Sequence, residues 1–289
     1  MEASPRDSRS SQLKPVRIGV VLSAGGLRGA AHAGVLRQLV SHGVPLHTIV
    51  GVSAGAIVAA YYAAVGLEID EMIADAVAFR GRHLLAHSLS VHSGPRLASR
   101  LRRWCGVIPN RLRQLEAADF DQLHHGAGRL GIVCHDLTSG QPRYFGTGCD
   151  QSVTLDDVVR ASASIPFLFP AVSVSSGGDV LRLTDGGLSD PVPLTFARRI
   201  GATHLIVSDC CGGHRARIPA DARTVWIRPL LRTTGTLWSP REGLLATVRA
   251  GEAAVTREAL DIIKGWLAAG SVVGETDLIR SSLADPDPH

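Results

Sequence analysis

Lysine is almost missing from this chain. Of 30 basic residues only Lys14 and Lys264 are lysines; the rest are arginines, spread along the sequence against 26 acidic residues for a net charge of +4. A nucleic-acid binder more often concentrates its charge on one helix or arm, so this scatter argues against nucleic acid as a partner. Cysteine is scarce and unpatterned: Cys105, Cys134, Cys149, Cys210 and Cys211 make an odd number with no C-x-x-C spacing. That argues against a disulfide framework or structural zinc and for reduced thiols in a cytoplasmic protein. No apolar run is long enough to span a bilayer, so any membrane contact is expected to be peripheral. The opening "MEASPRDSRSSQLKP" lacks the apolar core of a secretory signal and reads as a disordered lead-in over residues 1–15.

What is present is core-forming material. Hydrophobic residues make up 45% of 289 positions, enough for one large α/β domain, placed at 16–270 with a C-terminal tail at 271–289 whose end, "SSLADPDPH", reads as frayed. "VRIGVVLSAGG" reads as a buried parallel strand, and "RGAAHAGVLRQLVSHG" as a helix stopped at Gly43. "PLHTIVGVS" repeats the strand and "AGAIVAAYYAAVG" the helix, an order that predicts a parallel sheet. Further on, "RLGIVCHDLTSGQPRYFG" predicts two strands about a turn, and "TLDDVVRASASI" a helix capped by Thr154. "DVLRLTD", "THLIVSDCC" and "TVWIRPL" read as strands. "EGLLATVRAGEAAVTREALDIIKGWLA" reads as one long amphipathic helix.

Ser53 stands at the joint between the second strand and its helix, with Gly51 and Gly55 two residues to either side. A tight turn there lifts the hydroxyl above the sheet edge, and the glycines let backbones pass closely. The N–H groups opening the next helix, beginning with Ala54, favour negative charge beside it. The bland alternative is a βα turn with Ser53 as N-cap.

The loop after the first strand, "SAGGLRGAAHAG", carries consecutive glycines whose N–H groups can converge on a phosphate or an oxyanion. Ala24 breaks the first glycine of a dinucleotide fingerprint, and no acid ends the second strand, which argues against NAD. Two adjacent parallel strands bring this loop and Ser53 to one end of the sheet. Arg28 either steers an anion there or is solvated, and His32 reads as a packed histidine.

A serine nucleophile needs a base. His204 and His214 come late enough for a triad, but neither has a motif around it. In "LTDGGLSDPVP", Asp185 ends a strand before Gly186 and Gly187, exposing a carboxylate that partial desolvation makes more basic. Asp190 is the alternative acid, and an ordinary Asp-Gly turn is the bland reading.

Together "GLRGAAHAGVL", "GVSAG", "ASASIPFLFP" and "DGG", in that order over Val16–Val207, resemble the patatin-like phospholipases. The resemblance implies a three-layer α/β/α fold around a mainly parallel sheet. It implies hydrolysis of lipid acyl esters through a dyad, with Ser53 as nucleophile and Asp185 as general base. Gly25, Gly26 and Ala54 would donate to the oxyanion, with Arg28, Gly29, Gly51, Gly55, Gly186 and Gly187 as supporting motif positions. No metal or organic cofactor is implied. Two positions depart from the family pattern: Ala24 stands where the loop usually begins with glycine, and "DGG" replaces "DGA". Alanine is penalised at 24 if the backbone there needs a positive φ, and harmless if only the N–H groups of Gly25 and Gly26 serve.

The same dyad suits an acyltransferase or thioesterase, and the same fold a non-catalytic lipid-binding regulator. "GPRLASRLRRWCGVIP", Gly94 to Pro109, pairs arginines with apolar residues and Trp104. It reads either as a segment lying on an anionic bilayer or as a solvated basic helix.

Overall fold

The computed structural model describes residues 15–78, 107–149, 153–166, 168–211, 221–231 and 241–282. Two segments singled out above, residues 1–14 and the loop holding His214, lie outside them. So does the basic segment 94–109, apart from its last three residues.

Eight strands form one sheet: β1 (Ile18–Leu22), β2 (Thr48–Val52), β3 (Arg129–Asp136), β4 (Gln141–Gly146), β5 (Val172–Ser176), β6 (Asp179–Asp185), β7 (His204–Ser208) and β8 (Thr224–Ile227). Their order is β5-β6-β3-β2-β1-β7-β8, with β4 also paired to β3. The five strands from β3 to β8 run parallel, whereas β4, β5 and β6 are antiparallel to their neighbours. β1 and β2 are buried along their whole length, which is why they read as continuous apolar runs.

The helices are α1 (Ala30–Ser41), α2 (Ala54–Ala63), α3 (Ile69–Ala78), α4 (Val107–Glu116), α5 (Leu155–Ser162), α6 (Leu194–Arg199), α7 (Arg241–Ala254) and α8 (Arg257–Ser282). Alternate residues of each central strand feed two cores. Ile18, Val20 and Leu22 pack with residues of α1, α2, α5, α7 and α8, while Val21, Val50, Val52 and Val207 pack against Phe196 and Ala197 of α6. Helices thus cover both faces of a mixed, mostly parallel sheet. No helix among the described residues is long and apolar enough to cross a membrane.

Two expectations are corrected. The single long helix expected after Glu242 is two helices, α7 and α8, broken at Val255 and Thr256. The hydroxyl of Thr256 accepts the N–H of Ala259 at 3.2 Å, an N-cap that starts a new helix. A strand absent from the sequence reading, β5, precedes β6 as a hairpin. Its two-residue turn, Gly177 and Gly178, has φ of 59° and 93°.

Candidate active site

The sheet's pairing creates the site. A strand has two edges. Over Gly131–Val133, β3 pairs with β2 on one edge and β4 on the other, and β4 keeps its edge as far as Asp136. β6 pairs with Cys134–Asp136 and therefore occupies the edge that β2 has just left. β2 and β6 run toward each other along one lane and both stop. Ser53 leaves the end of β2, and Asp185 ends β6 beside Cys134.

Ser53 turns sharply into α2 with φ 56° and ψ −121°, left-handed backbone that a non-glycine residue rarely adopts. The close passage around it excludes side chains: a Cβ at Gly55 would lie 2.1 Å from the Leu22 carbonyl oxygen, and one at Gly51 2.3 Å from that of Gly55. The Ser53 hydroxyl donates to Asp185 Oδ2 at 2.6 Å. Asp185 Oδ1 accepts the Gly187 N–H at 2.8 Å. Both side chains lie inside the protein, with Ser53 4% and Asp185 7% exposed. Burial pushes the Asp185 carboxyl above its ordinary value, and the hydrogen bonds from Ser53 and Gly187 pull it partly back. Gly186 is required by closeness as well: its Cβ would meet the Val133 carbonyl at 2.3 Å.

The glycine-rich loop stands beside this pair. Residues Gly26–Gly29 form a short 3₁₀ turn that enters α1, with Gly26 at φ 57°. A Cβ at Gly29 would lie 2.4 Å from that of Ala54, so the turn rests on the first residue of α2. The N–H groups of Gly26 and Ala54 open their helical turns and have no partner within them. The loop is pinned from behind. Ala24 N–H donates to the Pro191 carbonyl at 3.1 Å. Ser23 Oγ donates to the Ala24 carbonyl and accepts the Cys210 N–H.

Arg28 serves this scaffold: its guanidinium donates to the carbonyls of Gly25 at 3.4 Å and Cys211 at 3.1 Å. Ala24 is not among the residues with positive φ, so alanine carries no backbone penalty there. A Cβ at Gly187 would lie 3.0 Å from the Ala24 Cβ, tighter than ordinary contact. The two departures from the family pattern therefore face each other, and the extra methyl sits on one side of the contact instead of the other.

The other candidates lie elsewhere. His32 is fully buried, with Nδ1 2.7 Å from the Ser208 hydroxyl and Nε2 2.9 Å from the Ser23 carbonyl. Burial lowers its pKa to about 4. His204 begins β7 in register with Ile18, at the opposite end of the parallel strands from Ser53, and its ring packs on Trp266. Asp190 accepts the Tyr144 hydroxyl at 2.9 Å.

Sequence reasoning missed the support supplied by α5. Ser162 Oγ accepts the Ser53 N–H at 2.9 Å and donates to the Val133 carbonyl at 2.6 Å. Two residues on, the Ser164 carbonyl accepts the Asp185 N–H at 3.1 Å and the Thr184 hydroxyl at 2.6 Å. The signal was available. Leu155, Val158, Val159 and Ser162 fall at i, i+3, i+4 and i+7, so a serine occupies the buried stripe of its helix.

Comparison with known proteins agrees with this architecture. The profile of the patatin-like phospholipase family matches residues 20–198. An uncharacterized NTE family protein of Mycobacterium tuberculosis is 29% identical over 230 residues, covering 77% of this chain and 58% of that protein. Lysophospholipase NTE1 of Debaryomyces hansenii is 26% identical over 202 residues, covering 66% of this chain and 12% of its own length. The chain thus spans less than two thirds of these relatives. Among solved structures, VipD from Legionella pneumophila superposes with a TM-score of 0.51 at 13% identity, covering 88% of this chain and 68% of that one, a likeness of fold. With the family profile matched over well more than half its length, the chain belongs to the patatin-like phospholipase family.

Proposed function

We propose that the protein is a serine acyl hydrolase cleaving carboxylic esters of lipids, with Ser53 as nucleophile and Asp185 as general base. The observation that carries this reading is the 2.6 Å hydrogen bond from the Ser53 hydroxyl to Asp185 Oδ2 at a strained elbow. Ser53 Oγ attacks the ester carbonyl carbon while its proton passes to Asp185 Oδ2. The carbonyl π pair moves onto oxygen, where the N–H groups of Gly25, Gly26 and Ala54 receive it. Collapse of the tetrahedral intermediate breaks the bond to the alcohol, which leaves with the proton from Asp185. A water then gives a proton to Asp185 and attacks the acyl-enzyme. Ser53 departs with that proton, and the acid is released.

Burial suits Asp185 to this work, because a carboxylate of raised pKa is a stronger base. Lipid esters are favoured as substrate by membership of the family and by the similarity to a lysophospholipase. The test is a panel of phospholipid and simple esters with the wild type, Ser53→Ala and Asp185→Asn. Both variants should fold and lose activity by about 10³-fold or more. Full activity in Asp185→Asn would remove the dyad. Adding an alcohol acceptor reports any acyl transfer as a new ester. Contact with anionic bilayers through residues 94–109 belongs to the same proposal. It predicts vesicle co-sedimentation that rises with anionic lipid content.

A further inference from the structure

We propose that Ser162 is a positioning residue for the nucleophile, holding Ser53 in its strained conformation by standing in for a missing rung of the sheet. The inference rests on the reading of Ser53 as nucleophile. β2 and β3 are in register up to Val52 and Val133, and there the turn at Ser53 carries the backbone out of the ladder. The next N–H of β2, that of Ser53, and the carbonyl of Val133 are separated by this turn. Both are buried polar groups that cost free energy if left unpaired. The Ser162 hydroxyl closes the gap, accepting from Ser53 N–H and donating to the Val133 carbonyl. A hydroxyl does this because it offers a donor and an acceptor at one atom. Its place is fixed by packing, since Ser162 is fully buried at the end of the stripe formed by Leu155, Val158 and Val159.

The consequence for chemistry is specific. The φ of 56° at Ser53 stores strain that persists only while its surroundings impose it. Ser162 is the side chain that holds the peptide N–H of that residue. Without it the elbow relaxes, and Oγ moves relative to Asp185 and the oxyanion donors. Displacing the nucleophile from its partners weighs on the chemical step more than on substrate capture.

The experiment compares the wild type with Ser162→Ala, which removes the bridge, and Ser162→Cys, which keeps a weaker one. Val248→Ala, in the buried face of α7, serves as a control of matched stability loss. Initial rates on a simple ester and the rate of Ser53 labelling by a fluorophosphonate are measured at equal folded fraction. Ser162→Ala should lose about 30-fold in kcat with KM within about twofold, its labelling rate should fall in parallel, and Ser162→Cys should lie between. If Ser162→Ala does not fold, the loss is read in Ser162→Cys, where about threefold or more is expected. A variant that keeps wild-type kcat, or loses no more than Val248→Ala, overturns the role of Ser162. A wild type that neither hydrolyses esters nor labels at Ser53 overturns the hydrolase reading, and this inference with it.

Discussion

Ser53 sits at φ 56°, a conformation that costs a non-glycine residue on the order of 1–3 kcal/mol. Asp185 adds a second cost, because burial disfavours its ionised form. A carboxyl whose folded pKa lies above its unfolded value binds protons more readily when folded. Its contribution to stability is therefore best at low pH and falls as pH rises through the folded value. Asp185→Asn keeps the shape and can still accept the Gly187 N–H, but it carries no charge to bury. The variant should thus be inactive yet melt at a higher temperature than the wild type at pH 7, with the gap closing as pH falls toward 4. Thermal melts of both proteins across that range check this. A variant less stable than the wild type at pH 7 would mean that the hydrogen bonds to the carboxylate outweigh its desolvation.

Between elements, the contact that decides the geometry is that of the glycine-rich loop with the turn after β6. Ala24 presents its methyl to Gly187, and a methyl added at 187 would come 3.0 Å from it and 3.0 Å from Asp185 Oδ1. Gly187→Ala alone should push Asp185 or the loop aside and lower kcat/KM by about tenfold, whereas Ala24→Gly with Gly187→Ala should recover to within about threefold. A double variant as impaired as the single one would deny the coupling, and steady-state kinetics on one ester decide it. The same elements show what the sequence disclosed. The strands β1 and β2, their helices and the glycine-flanked turns that carry Ser53 and Asp185 were legible because glycines and a continuous apolar period mark them; the choice of Asp185 over His204, His214 or Asp190 rested on the family resemblance. β5 was not, since "VSVSS" offers two apolar positions, although the Gly177–Gly178 turn announced a hairpin. The break between α7 and α8 was hidden because the apolar period runs on through Val255, and only the hydroxyl of Thr256 interrupts it. The buried stripe of α5 marked Ser162 as an inward-facing polar residue, but its partners, at strand ends distant in sequence, were not legible from it. The head-to-head meeting of β2 and β6 is a property of pairing, which local pattern does not encode.

The molecule as a whole carries an acid-sensitive tie beneath its active end. His32 joins α1 to the ends of β1 and β7 through the Ser23 carbonyl and the Ser208 hydroxyl, with Nε2 donating and Nδ1 accepting in the neutral ring. Burial lowers its pKa from 6.5 to about 4, opposed weakly by the Ser23 hydrogen bond and by Asp209. The unfolded chain therefore binds a proton that the folded protein refuses across that window. Stability rises with pH from about 4 to 6.5 and is lost on acidification, by on the order of 3 kcal/mol from this residue. Asp185 and Asp190 have raised values and act in the opposite sense, so the whole-protein curve mixes the two. His32→Gln separates them. Glutamine supplies one donor and one acceptor to the same partners and does not titrate, so the variant's melting temperature should vary much less between pH 6.5 and 4 than the wild type's. A variant with an unchanged slope would place the acid sensitivity elsewhere. Because the Ser23 hydroxyl also ties Ala24 to Cys210 and the Ser23 N–H donates to the Ser208 carbonyl, protonating His32 should loosen the glycine-rich loop before the sheet melts. Protonation of Asp185 lowers ester turnover on acidification in both proteins, so the His32 tie is read as the additional loss: turnover is expected to fall at higher pH in the wild type than in His32→Gln, ahead of global unfolding. Activity and far-ultraviolet circular dichroism, followed on the same samples through pH 6.5 to 4, resolve that order.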